Sequence, residues 1–596
     1  MRYLFVVFTA LFCTFSFAQD SKLAENYMDQ GEYNKALKIY QKIYDKNKRN
    51  PRAVFALIEV YQQLERYSSV DSIIDIAQKS TPRKEQFYIE SGYNATLQGK
   101  DSIATNYYQK AINVIDSLPQ LTYQIAYRFE KRNELEEAIL SYEKGMALND
   151  KLNYNYQLAK LYGEQGDLEK MFDTNVTLIE QNAVYRSRAQ AIFAQYVTDD
   201  ADNEGNKLLR KVLLLRLREN PDPIYNQLLS WLFVQQKDFK KAFIQEKAIY
   251  KREESNMDNL RDLVITAIDE NDLEAAKDIL DYMIEETQSL STKYIAQSLK
   301  IKLRANAATA QEFESIKLDY ENLLTTYGRD KETFRLQLDY ADFLAFKTNE
   351  PQTASDLLIA LEKTNLSKFQ KADVKILLAD ILVLQEQFNR ALIFYSQVQN
   401  DLPNDLRAQE SQFKVARTSY YQGDFPWSLT QLKVLRSAAS KLIANDAMEL
   451  SLTIADHSVE DTTFVALKAF AKAELKQYQN KRSEAITLYD QLLLDHKGDP
   501  IEDEALLKQA QLYEIDGKFE KARDNYQLII DNYSDGILAD DAIYRLGLLY
   551  QEHLENPLKA KELFEKIIFS HADSIHFVDA RRRYRRLRGD ENDKAF

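Results

Sequence analysis

EALLKQAQLYEIDGKFEKARDNYQLIIDNYS, Glu504 to Ser534, and VKILLADILVLQEQFNRALIFYSQVQNDLP, Val374 to Pro403, are written in one frame. Each opens with a helical stretch in which a small residue is followed three later by a large one: Ala510 and Tyr513, Ala379 and Leu382. A turn follows at Gly517 or Glu386. A second helical stretch begins at Phe519 or Phe388, with an alanine, an aromatic four later and an apolar residue three after that: Ala522, Tyr526, Ile529; Ala391, Tyr395, Val398. Residues at i, i+4 and i+7 lie on one helix face, and a small residue there lets a partner helix approach while large neighbours fill the flanking hollows. The frame therefore encodes two antiparallel helices that cross closely.

The unit recurs along most of the chain. Copies include Gly31, Tyr33, Ala36, Tyr40 and Ile43; Gly92, Gly99, Ala104, Tyr108 and Ala111; and Ala126, Phe129, Ala138, Tyr142 and Gly145. Others carry Ala159, Tyr162, Gly166 and Leu168; Phe239, Ala242 and Ile249; Leu273, Ala276, Leu280 and Met283; Ala485, Tyr489 and Leu492; and Gly547, Tyr550, Ala560, Phe564 and Ile567. Three stretches fit the frame poorly, 183–222, 287–331 and 437–463, yet keep a helical stripe such as Leu208, Val212 and Leu215, and are expected to be degenerate helix pairs. Self-similarity at this period predicts a solenoid of stacked pairs, each stabilised by its neighbours.

Composition agrees. The 596 residues hold 14 Gly and 10 Pro, where average usage gives roughly 40 and 30. Hairpin and phosphate-loop folds need more glycine than this. With 92 acidic residues against 78 basic, the chain is repelled by nucleic acid.

Residues 1–18 have the form of an export signal: Arg2, the apolar run Tyr3 to Phe15, and small residues at Ser16 and Ala18, with cleavage expected before Gln19. The single cysteine, Cys13, lies within it behind the bulky Phe12, which disfavours lipidation and leaves the remaining chain without a thiol. The expected organisation is 1–18 signal, 19–220 N-terminal array, 221–465 middle array with degenerate repeats and a joint at Pro221 and Pro223, 466–574 C-terminal repeats, and 575–596 basic cap and tail.

No chemistry-bearing motif occurs. There is no G-x-x-x-x-G-K-[ST], no H-E-x-x-H and no G-x-S-x-G; of five histidines, only His571 and His576 gather near an acid, Asp573, in an inter-helix loop. No enzyme activity, cofactor or metal is expected. The run Arg581, Arg582, Arg583, Arg585, Arg586 and Arg588 suits either the solvated face of a capping helix, with Phe577, Val578, Tyr584 and Leu587 turned inward, or contact with an anionic protein or headgroup.

The frame resembles the tetratricopeptide repeat family, whose unit of about 34 residues has a small residue, an aromatic, an alanine and a second aromatic at these places and often a proline near its end, where Pro403 stands. The resemblance implies an all-α right-handed superhelix of antiparallel pairs with a C-terminal capping helix. Its first helices line a concave groove that holds proteins or peptides. Family contact positions fall on Phe55 and Glu59; Tyr93; Tyr123, Tyr127 and Glu130; Tyr156 and Lys160; and Asp373, Ile376 and Asp380. The family's carboxylate clamp of Lys and Asn is not reproduced. The last hundred or so residues, including 533–547 and Phe569 to Ile575, resemble exported tetratricopeptide proteins of envelope assembly, of the BamD and CpoB kind. That implies a periplasmic scaffold, compatible with peripheral association with the outer membrane through a partner. The alternative is a glycan or peptidoglycan module in which the same tyrosines stack on sugars.

Overall fold

A computed structural model describes residues 20–80, 84–253, 256–438, 440–457 and 463–589. The expected signal at 1–18, Cys13 and the tail beyond Gly589 lie outside the described residues. Among the described residues every regular element is helical. The chain is an all-α solenoid in which consecutive helices pair antiparallel across short turns.

The pair Asn155–Gln165 and Leu168–Gln181 shows how a turn is made. Gly166 ends the first helix in the left-handed region, φ 81°, where a side chain is disfavoured. Asp167 then caps the second helix, its side chain accepting from the Lys170 N–H at 3.1 Å. Glu386 occupies the equivalent turn in its own pair with φ 61°, so the frame tolerates a non-glycine where tertiary packing holds it.

Close crossing is enforced by a small residue of the first helix facing a large one of the second, sixteen or so positions on. At Gly92 an added Cβ would lie 2.2 Å from Tyr108 Cε1, and at Gly547 2.8 Å from Phe564 Cε1. Ala126 with Tyr142, Ala379 with Tyr395, Ala473 with Tyr489 and Ala510 with Tyr526 repeat the spacing, and all are buried. Several of the aromatic hydroxyls are paired across the same crossing, while that of Tyr489 is buried without a hydrogen-bond partner among the described residues. Tyr142 donates to Glu130 at 2.6 Å, Tyr395 to Asp380 at 2.5 Å and Tyr526 to Glu514 at 2.7 Å, each a carboxylate on the facing first helix. Burial, reinforced by Glu514, pushes the Tyr526 phenol well above its ordinary range, so it remains a donor.

The helices fall into two units, one through Ile279 and one from Leu280, the division lying within helix Leu273–Glu286. The sequence boundaries at 220/221 and 465/466 each lie inside a unit. Pro221 and Pro223 mark a helix start instead: Pro223 opens helix Pro223–Gln235, and Asp222 caps it through the Ile224 N–H at 2.8 Å. Of the poorly fitting stretches, Leu290–Ala307 pairs with Phe313–Tyr327, whereas Arg186–Phe193 and Glu204–Glu219 both pack on Leu168–Gln181. The third differs. Helix Lys441–Asp456 packs on Phe425–Ala438, already the second helix of a pair, and the next first helix, Val465–Tyr478, returns to Leu406–Gln422, where Tyr420 donates to Glu474 at 2.7 Å.

The terminal helix Phe577–Arg588 packs Tyr584 and Leu587 against the preceding core and buries Ala580. Val578, expected to face inward, is 78% exposed, because Ala580, two positions on and so on the opposite side of the helix, takes the central contact.

Two outcomes follow for the interlock. Tyr526→Ala should cost about 3–5 kcal/mol of local stability, and Tyr526→Phe about 1.5–3 kcal/mol through the lost bond to Glu514. Amide exchange should report both as lost protection centred on Glu502–Asn532, with residues 51–80 unchanged, as nearest-neighbour stacking requires.

Candidate binding face

In the first unit the first helices Glu85–Thr96, Thr122–Lys131, Asn155–Gln165 and Arg186–Phe193 lie side by side. Their outward residues make one face. Tyr123, Tyr127 and Tyr156 stand on it, exposed by 45, 43 and 41%. Tyr123 and Tyr127, one helical turn apart, stack nearly parallel with centroids 5.8 Å apart and planes 7° apart. Tyr154 supports them from the adjacent pair, 6.3 Å from Tyr123 and 4.9 Å from the buried Tyr142. The result is a tyrosine shelf whose rear ring is fixed by the hydroxyl bond to Glu130, so its outer rings are held before anything binds.

The other sequence-predicted contacts behave differently. Phe55 stacks on Phe87 with centroids 5.2 Å apart, and the Arg128 guanidinium covers its outer side at 4.0 Å. Tyr93 is covered in the same way by Arg132 at 4.9 Å. Both arginines are drawn there by Glu90, whose side chain is fully buried: Arg128 Nε donates at 2.5 Å and Arg132 Nη2 at 2.6 Å. Phe55 and Tyr93 are therefore corrected from free groove contacts to parts of an internal network. No local pattern reveals this, because Glu90 and its arginines are 38 and 42 residues apart. Removing a partner from a buried ionic cluster leaves charge uncompensated. Glu90→Ala should destabilise the first unit by about 3–5 kcal/mol, whereas Tyr123→Ala should cost about 0.5–1.5 kcal/mol, the worth of an aromatic pair; urea denaturation separates the two.

Lys160 is exposed and pairs with Glu164 at 3.3 Å, one turn along. Tyr156 and Lys160 lie at the mouth of a cavity of about 270 Å³ that continues inward to Ala159, Gly163, Met171 and Asn175. Arg188, from the next first helix, stacks over the Tyr156 ring at 4.5 Å and donates to its hydroxyl.

Asp380 belongs to the second unit and is also corrected. It accepts from Tyr395 and from Lys414, the latter at 2.7 Å, in the wall of a cavity of about 360 Å³ that Lys302, Arg335 and Asp339 also line. Lys302 is paired with Asp339 at 3.1 Å. Asp373 pairs with Arg407, and Ile376 is buried. The face here is knitted by ion pairs and offers no aromatic shelf.

At the C-terminus Arg582 and Arg583 are engaged by Asp579, and Arg583 also reaches Glu552 at 2.9 Å. Arg581 and Arg586 are exposed on the same helix, with Arg585 partly so. Burial pushes the Asp579 carboxyl up, but hydrogen bonds from Tyr544, Arg583 and Arg582 outweigh it and hold it down at about 2. A depressed carboxylate stabilises the fold above its unfolded value and ceases to do so as pH falls through the folded one. Docking of this helix should accordingly weaken between about pH 4 and pH 2, read by amide exchange, and Asp579→Asn should remove most of that dependence.

His576 bonds to Asp541 at 2.7 Å and stacks on Tyr544, while His571 and Asp573 stay apart from that pair; among the described residues no group of three or more His, Cys, Asp or Glu side chains is placed to hold a metal ion. No described helix is long and apolar enough to cross a membrane.

Three stretches match models of the tetratricopeptide repeat: residues 27–87, 470–537 and 541–574. TPR repeat-containing protein MJ1428 of Methanocaldococcus jannaschii is 30% identical over 163 residues, which are 27% of this chain and 28% of that protein. The chain thus spans little more than a quarter of that relative. Two solved structures share 13% identity with this chain: the Naa15/Naa10 complex bound to HypK-THB, covering 98% of each chain at a TM-score of 0.28, and the APC/C Cut9–Hcn1 hetero-tetramer, covering 95% of each at 0.22. Tetratricopeptide repeats generally bind other proteins or peptides.

Proposed function

We propose that this chain is a protein-interaction scaffold, exported and at work in the periplasm, that holds an envelope or secreted protein on the tyrosine shelf of its first unit. The observation that carries the reading is the exposure of Tyr123, Tyr127 and Tyr156 on successive first helices, while the comparable residues Phe55, Tyr93 and Asp380 are spent on internal contacts. Tyrosine offers large contact area, few torsions to freeze and a hydrogen-bonding tip, the properties of an interface anchor. The spacing of the shelf along neighbouring helices suits an extended segment lying across them. Export is supported by the charged, apolar and small-residue regions of 1–18, and by a remaining chain free of thiols.

Affinity capture from an envelope fraction with the full chain should retain a stoichiometric partner that is lost with Tyr123→Ala plus Tyr127→Ala. The double variant should keep the wild-type unfolding midpoint to within a few degrees. An unchanged partner set would overturn the shelf assignment. Co-sedimentation with purified peptidoglycan that depends on the same tyrosines would favour sugar stacking over protein capture. N-terminal analysis of the exported protein should begin at Gln19.

A further inference from the structure

The cavity beside the shelf lies in a helix pair that departs from the interlock. In the pairs built on Tyr40, Tyr108, Tyr142, Tyr395, Tyr489, Tyr526 and Phe564, a buried aromatic of the second helix fills the hollow against the small residue of the first. In the pair Asn155–Gln165 with Leu168–Gln181 the small residue is Ala159, and sixteen positions on stands Asn175. An amide replaces a ring, and the hollow remains open as the cavity of about 270 Å³.

The lining states what would fill it. Ala159, Met171, Ile192 and Tyr196 make it largely apolar, and Gly163 leaves its wall flat: an added Cβ would meet only Met171 Cγ at 3.5 Å and the Tyr196 hydroxyl at 3.8 Å. At the floor Asn175 is 4% exposed. Its Nδ2 donates to the Met171 carbonyl at 2.9 Å and approaches Met171 Sδ at 3.4 Å, while its Oδ1 accepts no hydrogen bond among the described residues. That oxygen is reached by solvent through the cavity, so a ligand hydroxyl or N–H can take the place of water there. At the mouth, Lys160 and Arg188 stand against the single acid Glu164. The volume falls just below the range of about 300–1,000 Å³ usual for small-molecule sites, which fits one large side chain.

We infer that this cavity receives a hydrogen-bonding aromatic side chain of the partner, a phenol or an indole, carried next to a carboxylate: the ring takes the place that the chain's own tyrosine takes in other pairs, its O–H or N–H donates to Asn175 Oδ1, and the carboxylate meets Arg188 and Lys160. This deepens the shelf reading and rests on it, since the pocket opens on the same face one pair further along.

The test uses the full chain and N-acetyl-tyrosine as probe, followed by saturation-transfer NMR titration, with N-acetyl-tyrosinamide and N-acetyl-leucine as comparisons. The expected order is tyrosine tightest, the amide at least threefold weaker for want of the carboxylate, and leucine at least tenfold weaker. Asn175→Tyr restores the frame and fills the cavity; it should weaken probe binding at least tenfold without lowering the unfolding midpoint. Gly163→Leu, which projects into the same space, should do likewise and decides the matter if Asn175→Tyr does not fold. Tyr123→Ala plus Tyr127→Ala should bind the probe within twofold of wild type, so loss of the shelf and loss of the pocket are read separately. Wild-type probe affinity in both folded cavity-filling variants, or leucine binding as tightly as tyrosine, would overturn the assignment.

Discussion

A ring set against a residue too small to resist it is the contact on which this structure depends. Gly92 under Tyr108 and Gly547 under Phe564 are its tightest forms, with no room for a single added carbon. The small residue brings two helix axes together, the ring fills the space so created, and dense packing makes the arrangement intolerant of either half changing alone. Tyrosine adds a second constraint. A buried hydroxyl favours a partner, and in three pairs the carboxylates of Glu130, Asp380 and Glu514 supply one across the same interface. The pairs built on Tyr142, Tyr395 and Tyr526 are thereby fixed in distance by volume and in register by a hydrogen bond.

The binding face is a by-product of where that constraint is satisfied. Tyr142 is anchored behind the shelf, and Tyr154, Tyr123 and Tyr127 build outward from it in successive ring contacts. One pair away, Asn175 leaves the constraint unsatisfied and a cavity appears. Neighbouring pairs show the opposite solution: Glu90 gathers Arg128 and Arg132 over Phe55 and Tyr93 and closes the face. Charge in the second unit acts similarly around Asp380 and Lys414. Open and closed parts of one repeated surface thus differ in side-chain pairing rather than in backbone.

The repeat itself was legible in the sequence, because the small residue, the turn and the aromatic of each pair are local and periodic, and all-α pairing follows from them. The exposed members of the face, Tyr123, Tyr127 and Tyr156, were legible from their place on first helices. What periodicity does not carry is pairing between repeats. Phe55, Tyr93 and Asp380 occupy equivalent positions but are covered by residues from other helices, and helix Lys441–Asp456, packed on the second helix of the preceding pair, interrupts a pattern of twos without any glycine or proline signal. Val578 was expected inside on apolar character alone, while the one buried residue of its helix is the smaller Ala580. Asn175 did leave a signal, an amide where the frame asks for an aromatic.

Photocrosslinking in cells tests the interaction face most directly, with benzoylphenylalanine placed singly at Tyr127, at Tyr156 and at Leu140, an exposed position on a second helix. Discrete adducts of one partner at the two tyrosine positions and none at Leu140 are expected. Equal adducts at Leu140, or none at either tyrosine position, would contradict the assignment of binding to the first-helix face.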